Sequence, residues 1–227
     1  SDLVTVANKE SEAAIIKLIK SKFPNHSILA EESGLENQSN EFMWYIDPLD
    51  GTTNYAHQYP TISVSIACYQ NNMPLVGVVY NPLTNERFFA TKGGGATLNG
   101  KPIRVSKVDN LSQSLLATGF AYDRLKTPET NYKEFTHFTQ LTQGVRRAGS
   151  AALDLAFVAC GRLDGYWERG LQAWDMAAGL LLVTEAGGLV SNYDQSQVDV
   201  NSGRILSSNG LIHLQISEQL LNLRKSP

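Results

Sequence analysis

Trp44-Tyr45-Ile46-Asp47-Pro48-Leu49-Asp50-Gly51-Thr52-Thr53-Asn54-Tyr55 is the stretch whose reading governs the rest of this chain. Trp44, Tyr45 and Ile46 have the apolar character of a strand end, and Pro48 keeps Asp47 out of the helical region, so neither acid is expected on a helix. Asp47 and Asp50 can then converge on one point beyond the strand. Gly51 permits a close backbone approach, and a helix opening at Thr52 would present its unpaired N–H groups to an anionic oxygen. The stretch reads as a cation site joined to an anion site.

Two further segments add carboxylates at element ends. Ser27-Ile28-Leu29-Ala30-Glu31-Glu32-Ser33-Gly34 is a short apolar strand that runs into two acids and a turn. Ala173-Trp174-Asp175 places an acid at the start of an apolar helix that ends near Glu185-Ala186-Gly187-Gly188. With Asp-Pro-Leu-Asp-Gly-Thr-Thr-Asn at 47–54, Glu-Glu-Ser at 31–33 and Trp-Asp followed by Thr-Glu-Ala-Gly-Gly at 184–188, the chain resembles the inositol monophosphatase family of magnesium-dependent, lithium-sensitive phosphatases. The resemblance covers nearly the whole chain. It implies an α+β fold, a layered α-β-α-β-α sandwich with the site between two sheets. It also implies one catalytic unit over residues 1–227, in which the first half, to Thr118, carries the metal and phosphate groups and the second half completes the site. The residues alone lead only as far as mixed α and β.

The chemistry implied by the resemblance is specific. Glu31, Asp47 and the carbonyl of Leu49 would hold one Mg²⁺, Asp47, Asp50 and Asp175 a second, and a weaker third ion would lie near Glu31. Charge supports this independently, because four clustered carboxylates and a phosphate monoester repel one another unless cations intervene. An all-oxygen donor set suits Mg²⁺ rather than Zn²⁺, and two such ions can clamp both oxygens of an in-line displacement. The resemblance makes Glu31, Thr52 and Asp50 the catalytic residues, with the Thr52 hydroxyl and Glu31 activating water, and gives phosphate binding to the N–H groups of Gly51, Thr52 and Thr53. A Gly-Thr-Thr helix cap is the plainer reading of the last three, which the flanking acids outweigh. Glu168 matches the acid that accepts a hydroxyl of the polyol, and Ser150 and Ala151 match the small residues opposite it; a surface pair with Arg169 is the alternative for Glu168. Glu32 reads as solvated or supporting, His57 as a surface residue, and Arg146 and Arg147 as solvated or anion-steering.

Composition narrows the classes. The chain has 227 residues, of which 42% are hydrophobic, enough for a substantial core, and a net charge of −3 without a basic stripe, so no nucleic-acid face is indicated. Cys68 and Cys160 read as plain buried thiols in a reducing compartment. No run approaches the roughly 18 apolar residues that span a bilayer, and Ser1-Asp2-Leu3 is not a signal peptide, so a soluble, cytoplasmic protein without membrane contact is expected.

The remaining elements follow from periodicity and punctuation. An amphipathic helix is expected over 12–23, an antiparallel meander over 61–69, 75–80 and 86–91, and a hairpin turn at Asn99-Gly100. Gly93-Gly94-Gly95 reads as a structural turn rather than a phosphate cradle, because no helix follows. In the second half, strands are expected at 114–118, 163–167 and 205–208, and helices at 131–141, 151–160 with Ser150 as N-cap, 173–186 and 211–221. Two departures from the family stand out. The chain begins at Asp2-Leu3-Val4-Thr5, where members already have an N-terminal helix, as in a cut or naturally short chain, and Asn8 replaces a usual Asp near a loop that closes the site.

The expected function is hydrolysis of inositol monophosphate or a related small polyol phosphate, by a homodimer with two or three Mg²⁺ per site. Fructose-1,6-bisphosphatase and NADP phosphatase activities are the enzyme alternatives; a regulatory partner in a transcription complex is the alternative of another class. Mutual repulsion of the acids further leads one to expect that removing the charge of Asp50 leaves the metal-free protein no less stable.

Overall fold

The computed structural model describes residues 6–38 and 41–225, the last without its side chain. Residues 1–5, on which the comparison of N-terminal edges rests, lie outside the described residues.

The first sheet contains β1 (Ser27–Ala30), β2 (Gly34–Glu36), β3 (Phe42–Asp50), β4 (Ser63–Gln70), β5 (Met73–Asn81), β6 (Glu86–Thr91), β7 (Gly95–Leu98) and β8 (Lys101–Pro102), in the order β2-β1-β3-β4-β5-β6-β7-β8. The expected meander is its centre. The sheet is mixed, because β1 lies parallel to β3, and this pairing brings Ala30 beside Ile46 and the two acid-bearing strand ends together. The second sheet, with β9 (Leu115–Thr118), β10 (Gly144–Arg146), β11 (Gly165–Arg169), β12 (Leu189–Ser191) and β13 (Arg204–Ser208), has the order β10-β9-β11-β13-β12.

Among the described residues, six α-helices complete the layers: α1 (Val6–Lys22), α2 (Thr52–Ala56), α3 (Tyr132–Leu141), α4 (Ala151–Ala159), α5 (Ala173–Glu185) and α6 (His213–Lys225). Helix α1 covers the outer face of the first sheet through Ile19, which packs with Ile28, Ala30 and Ile46. Helices α4 and α5 fill the space between the sheets with a nearly all-apolar surface, as a helix buried on every side requires. Helices α3 and α6 close the far side over Phe138, Trp167, Leu206 and Ile216. The sandwich α-β-α-β-α is therefore the observed architecture. Contact between α5 and β5 is close enough that a Cβ at Gly77 would stand 3.0 Å from the Ala178 Cα.

Several boundaries differ from expectation for local reasons. Helix α1 starts before Glu12, at Val6, and α6 starts after Leu211, because the Asn209 side chain accepts hydrogen bonds from Leu211 and Ile212 N–H and forms a turn there. Strand β11 is shifted two residues toward the C-terminus of the expected 163–167, since Asp164 is engaged in accepting from Ser106 Oγ and Leu115 N–H. Strands β10 and β12, three residues each, are too short to produce a readable alternation. Pro74, which precedes the expected strand 75–80, lies inside β5. The triple glycine is structural, as expected: Gly93 and Gly95 donate N–H bonds to the Glu185 carboxylate at 2.8 and 2.9 Å. Cys68 is buried but Cys160 only half-buried, and both are free thiols.

Candidate active site

The local cause of the acid cluster is a fault in the β3–β4 ladder. Residues three apart on a regular strand point to opposite faces. Here Asp47 pairs with Ser65 and Asp50 with Ser63, so three steps on β3 meet two on β4. The extra residue turns Asp50 to the side of Asp47, and Pro48, with no N–H to lose, sits within this bulge. Asp175 arrives from the first turn of α5, and one carboxylate oxygen from each of Asp47, Asp50 and Asp175 falls within 4.8 Å of the others.

Each acid is steered by a hydrogen bond to one oxygen. Asp47 Oδ1 accepts from Leu49 N–H at 3.0 Å, and Asp175 Oδ2 from Gln172 N–H at 2.7 Å. Asp50 Oδ2 accepts from Ser150 Oγ at 2.6 Å and Ala152 N–H at 2.8 Å, which ties it to the N-terminus of α4. Ser150 is thus both the N-cap of α4 and the anchor of Asp50. These bonds give Asp50 a structural role beside its charge, so the stability of a protein neutral at this position is set by weakened hydrogen bonds at the α4 terminus against relieved repulsion.

Gly51 connects the acids to α2 with a φ of 93°, and a Cβ there would stand 2.8 Å from the Thr61 carbonyl oxygen. Only glycine fits. Asn54 fixes the same corner by donating to the carbonyls of Thr61 and Ala148 at 2.7 and 2.8 Å. The Thr52 hydroxyl donates to the Leu49 carbonyl at 3.2 Å. It therefore stands on the carbonyl expected to face a cation, and its bond is to that group rather than to Glu31.

Electrostatics single out this cluster. Burial, reinforced by Asp50, Asp175 and Glu31, raises Asp47 well above the carboxylate range, and burial with Asp50 does the same to Asp175. Burial also raises Asp50, against the hydrogen bonds from Ser150 and Ala152. Glu31 is pushed up to about 7, chiefly by burial, with Glu32, Asp50 and Glu12 adding to it. Its Oε2 is buried without a hydrogen-bond partner. An orphaned carboxylate oxygen beside three crowded acids, with oxygen donors only, is what a hard divalent cation would satisfy, so these residues fit Mg²⁺.

Glu31, Asp47, Leu49, Asp50, Gly51, Thr52, Thr53, Ser150, Ala151, Glu168 and Asp175 all line one cavity of about 470 Å³. Glu168 lies at the end away from the first sheet. Burial raises it to about 7, against the Tyr166 hydroxyl that donates to it at 2.5 Å and the Arg147 charge. Its carboxylate lies across Gly119, where any Cβ would collide with it. Arg169 is not its partner, since adjacent strand residues face opposite ways and Arg169 pairs with Asp123 at 2.8 Å. Arg147 lines the cavity and Arg146 does not. His57 is exposed at the end of α2, and Glu32 accepts from Asn8 outside the cavity.

Sequence reasoning missed Asp154, whose buried carboxyl lines the cavity and is raised well above the usual range by burial and then by Glu168. Its signal was available: one acid interrupts the apolar run 151–159, three positions after Ala151 and so on the same face. Gly119 and Tyr122, which also line the cavity, carried no such signal.

Comparison with known proteins shows the family. The inositol monophosphatase family model matches residues 1–226. An inositol-1-monophosphatase of Synechocystis sp. is 59% identical over 96% of this chain and 77% of its own length. The Nus factor SuhB of Haemophilus influenzae is 43% identical over 99% of this chain and 83% of its own. The solved inositol monophosphatase of Anabaena (Nostoc) sp. superposes with a TM-score of 0.94 at 59% identity, covering 97% of this chain and 88% of that one.

Proposed function

The chain belongs to the inositol monophosphatase family, and from that premise we propose that it is a Mg²⁺-dependent phosphomonoesterase acting on inositol monophosphate or a related small polyol phosphate. The observation that carries this reading is the convergence of Asp47, Asp50 and Asp175 within 4.8 Å, in a cavity that also holds Glu31 and Glu168.

Magnesium, when bound, supplies the positive charge that lets a phosphate approach the acids and polarises its ester. Asp47, Asp50, Asp175, Glu31 and the Leu49 carbonyl would hold it. The first N–H groups of α2, at Gly51, Thr52 and Thr53, receive the phosphate oxygens, favoured by the positive end of the helix. Glu31 can take the proton of the attacking water, and the Thr52 hydroxyl, held on the Leu49 carbonyl, orients that water. Glu168 reads a hydroxyl of the alcohol half, with Ser150 and Ala151 shaping the wall opposite. Direct attack needs no covalent intermediate.

The test is a panel of phosphate esters assayed with Mg²⁺ and again in excess EDTA. Turnover of inositol monophosphate that vanishes on chelation and falls with millimolar Li⁺ is expected, and equal turnover in EDTA would overturn the reading. Glu168→Gln is expected to lower kcat/KM for the polyol ester about tenfold or more, while p-nitrophenyl phosphate changes by less than about threefold, because only the polyol offers a hydroxyl to that acid. We further propose a homodimer and a cytoplasmic setting. Among the described residues no helix is long and apolar enough to cross a membrane. A second reading, service in a transcription complex, is favoured by the name of the Haemophilus relative; a partner interaction retained by an inactive Asp175→Asn protein would support it.

A further inference from the structure

We infer that Glu12, in the middle of α1, is a positioning residue that sets the aim of Glu31. The inference rests on Glu31 being part of the cation site proposed above, but the observation behind it is separate. Glu12 is 3% exposed, and its two carboxylate oxygens accept the main-chain N–H groups of Glu32 and Ser33, each at 2.9 Å. These are the two residues after Glu31.

The chain needs such a partner at this point. Strand β1 ends at Ala30, the Glu31 N–H still bonds to the Ile46 carbonyl at 3.1 Å, and the backbone then reverses to enter β2 through Gly34 with a φ of 76°. A reversal this tight takes its N–H groups out of the ladder and leaves them to another acceptor. One bidentate carboxylate engages both and so fixes the peptide plane between Glu31 and Glu32. Rotation of that plane would swing the Glu31 side chain away from Asp47 and Asp50.

Helix α1 also holds the other half of the site. Ser11, one position earlier, donates its hydroxyl to the Pro48 carbonyl at 3.2 Å, and Asn8, one turn earlier, donates to Glu32 Oε1 at 3.1 Å. Helix α1 therefore clamps both backbones that carry the acids, the turn after β1 and the bulge of β3. A charged acceptor bonded to two main-chain N–H groups is stronger than the neutral alternatives. Glutamine at this position keeps the size but offers one acceptor oxygen and sets an NH₂ against the second N–H.

The experiment compares wild type, Glu12→Gln, Glu12→Asp and, as a control on the exposed side of the same helix, Glu10→Gln. Three quantities are read well below the melting temperature. They are the Mg²⁺ concentration giving half-maximal activity, the substrate KM at saturating Mg²⁺, and amide hydrogen exchange of the 31–34 turn in metal-free protein. Outer-shell partners of metal ligands are typically worth about 10–100-fold in metal affinity. Glu12→Gln is expected to raise the Mg²⁺ midpoint about tenfold, to leave substrate KM within about twofold, and to speed exchange in the turn while other strands keep their protection. Glu12→Asp, which retains the charge, is expected to fall between it and wild type, and Glu10→Gln to match wild type. An unchanged Mg²⁺ midpoint in a folded Glu12→Gln, or exchange that accelerates everywhere alike, would overturn the inference and leave Glu12 a general stabiliser. Should Glu12→Gln not fold, the same readings on Glu12→Asp decide. If wild type itself shows no Mg²⁺ dependence, the cation-site reading fails instead, and turn exchange in the metal-free proteins still decides whether Glu12 holds the turn.

Discussion

Glu168 and Arg169 are neighbours on β11 and face opposite environments. On the cavity side, Asp47, Asp50, Asp175 and Glu31 crowd together, and no Lys or Arg acts among them strongly enough to hold their proton affinities down. On the outer side, Glu129 meets Arg169, Arg204 and Arg224, and two of those guanidinium groups also lie over the Tyr193 ring at 5.3 and 4.8 Å. One strand thus separates the four clustered acids, on which no Lys or Arg acts strongly, from an acid with three guanidinium partners. A fold that neutralises a carboxylate on the other side of β11 has left this cluster uncompensated, and such a cluster is where an external cation gains most.

The largest expected effect lies on the uncompensated side. Asp175→Asn keeps an oxygen for the Gln172 N–H bond but loses the charge. A loss of about 3 kcal/mol of transition-state stabilisation, roughly 100-fold or more in kcat/KM, is expected on both polyol and aryl phosphates, measured by steady-state kinetics. A loss confined to the polyol would move Asp175 to the alcohol half and break the comparison.

Melting curves sharpen it. Mg²⁺ at about 100 times its Kd adds about 2.7 kcal/mol to the native state, which for a domain of this size raises Tm by roughly 5–10 °C. Asp175→Asn should lose most of that rise while melting in EDTA no lower than wild type, since it removes repulsion without removing a hydrogen bond.

The pH dependence is smaller. Glu31 and Glu168 are each raised from 4.5 to about 7 in the folded protein, so between those values the native state holds protons that the unfolded chain has released. Metal-free stability is therefore greatest at the acid end of this window and falls as pH rises from about 4.5 to 7. Glu168→Gln should flatten that decline and leave Tyr166 with an acceptor; an unchanged slope in metal-free melts would show that Glu168 is ionised throughout. Least of all, Glu129→Gln on the compensated side should cost under about 1 kcal/mol and leave kcat unchanged, because surface ion pairs contribute little.

How legible this was depends on the range of each interaction. The chain itself determines that acids end strands and open a helix, that Gly51 must bend, and that Ser150 caps α4, because strand end, turn and cap chemistry act over a few residues. It also determines the apolar helices α4 and α5 that fill the middle layer, since a helix without a polar face has to be covered on all sides. Tertiary structure alone decided the rest. The bulge that turns Asp50 toward Asp47 exists only against β4. The bonds from Ser150 and Ala152 to Asp50 cross 100 and 102 positions, and Glu12 reaches the turn after Glu31 across 20 and 21. Asp154 became a wall of the cavity only when α4 was packed beneath Glu168, and Gly119 became necessary only once that carboxylate lay across it. Residue type determines what a side chain can hold or repel, and packing determines which distant groups it meets.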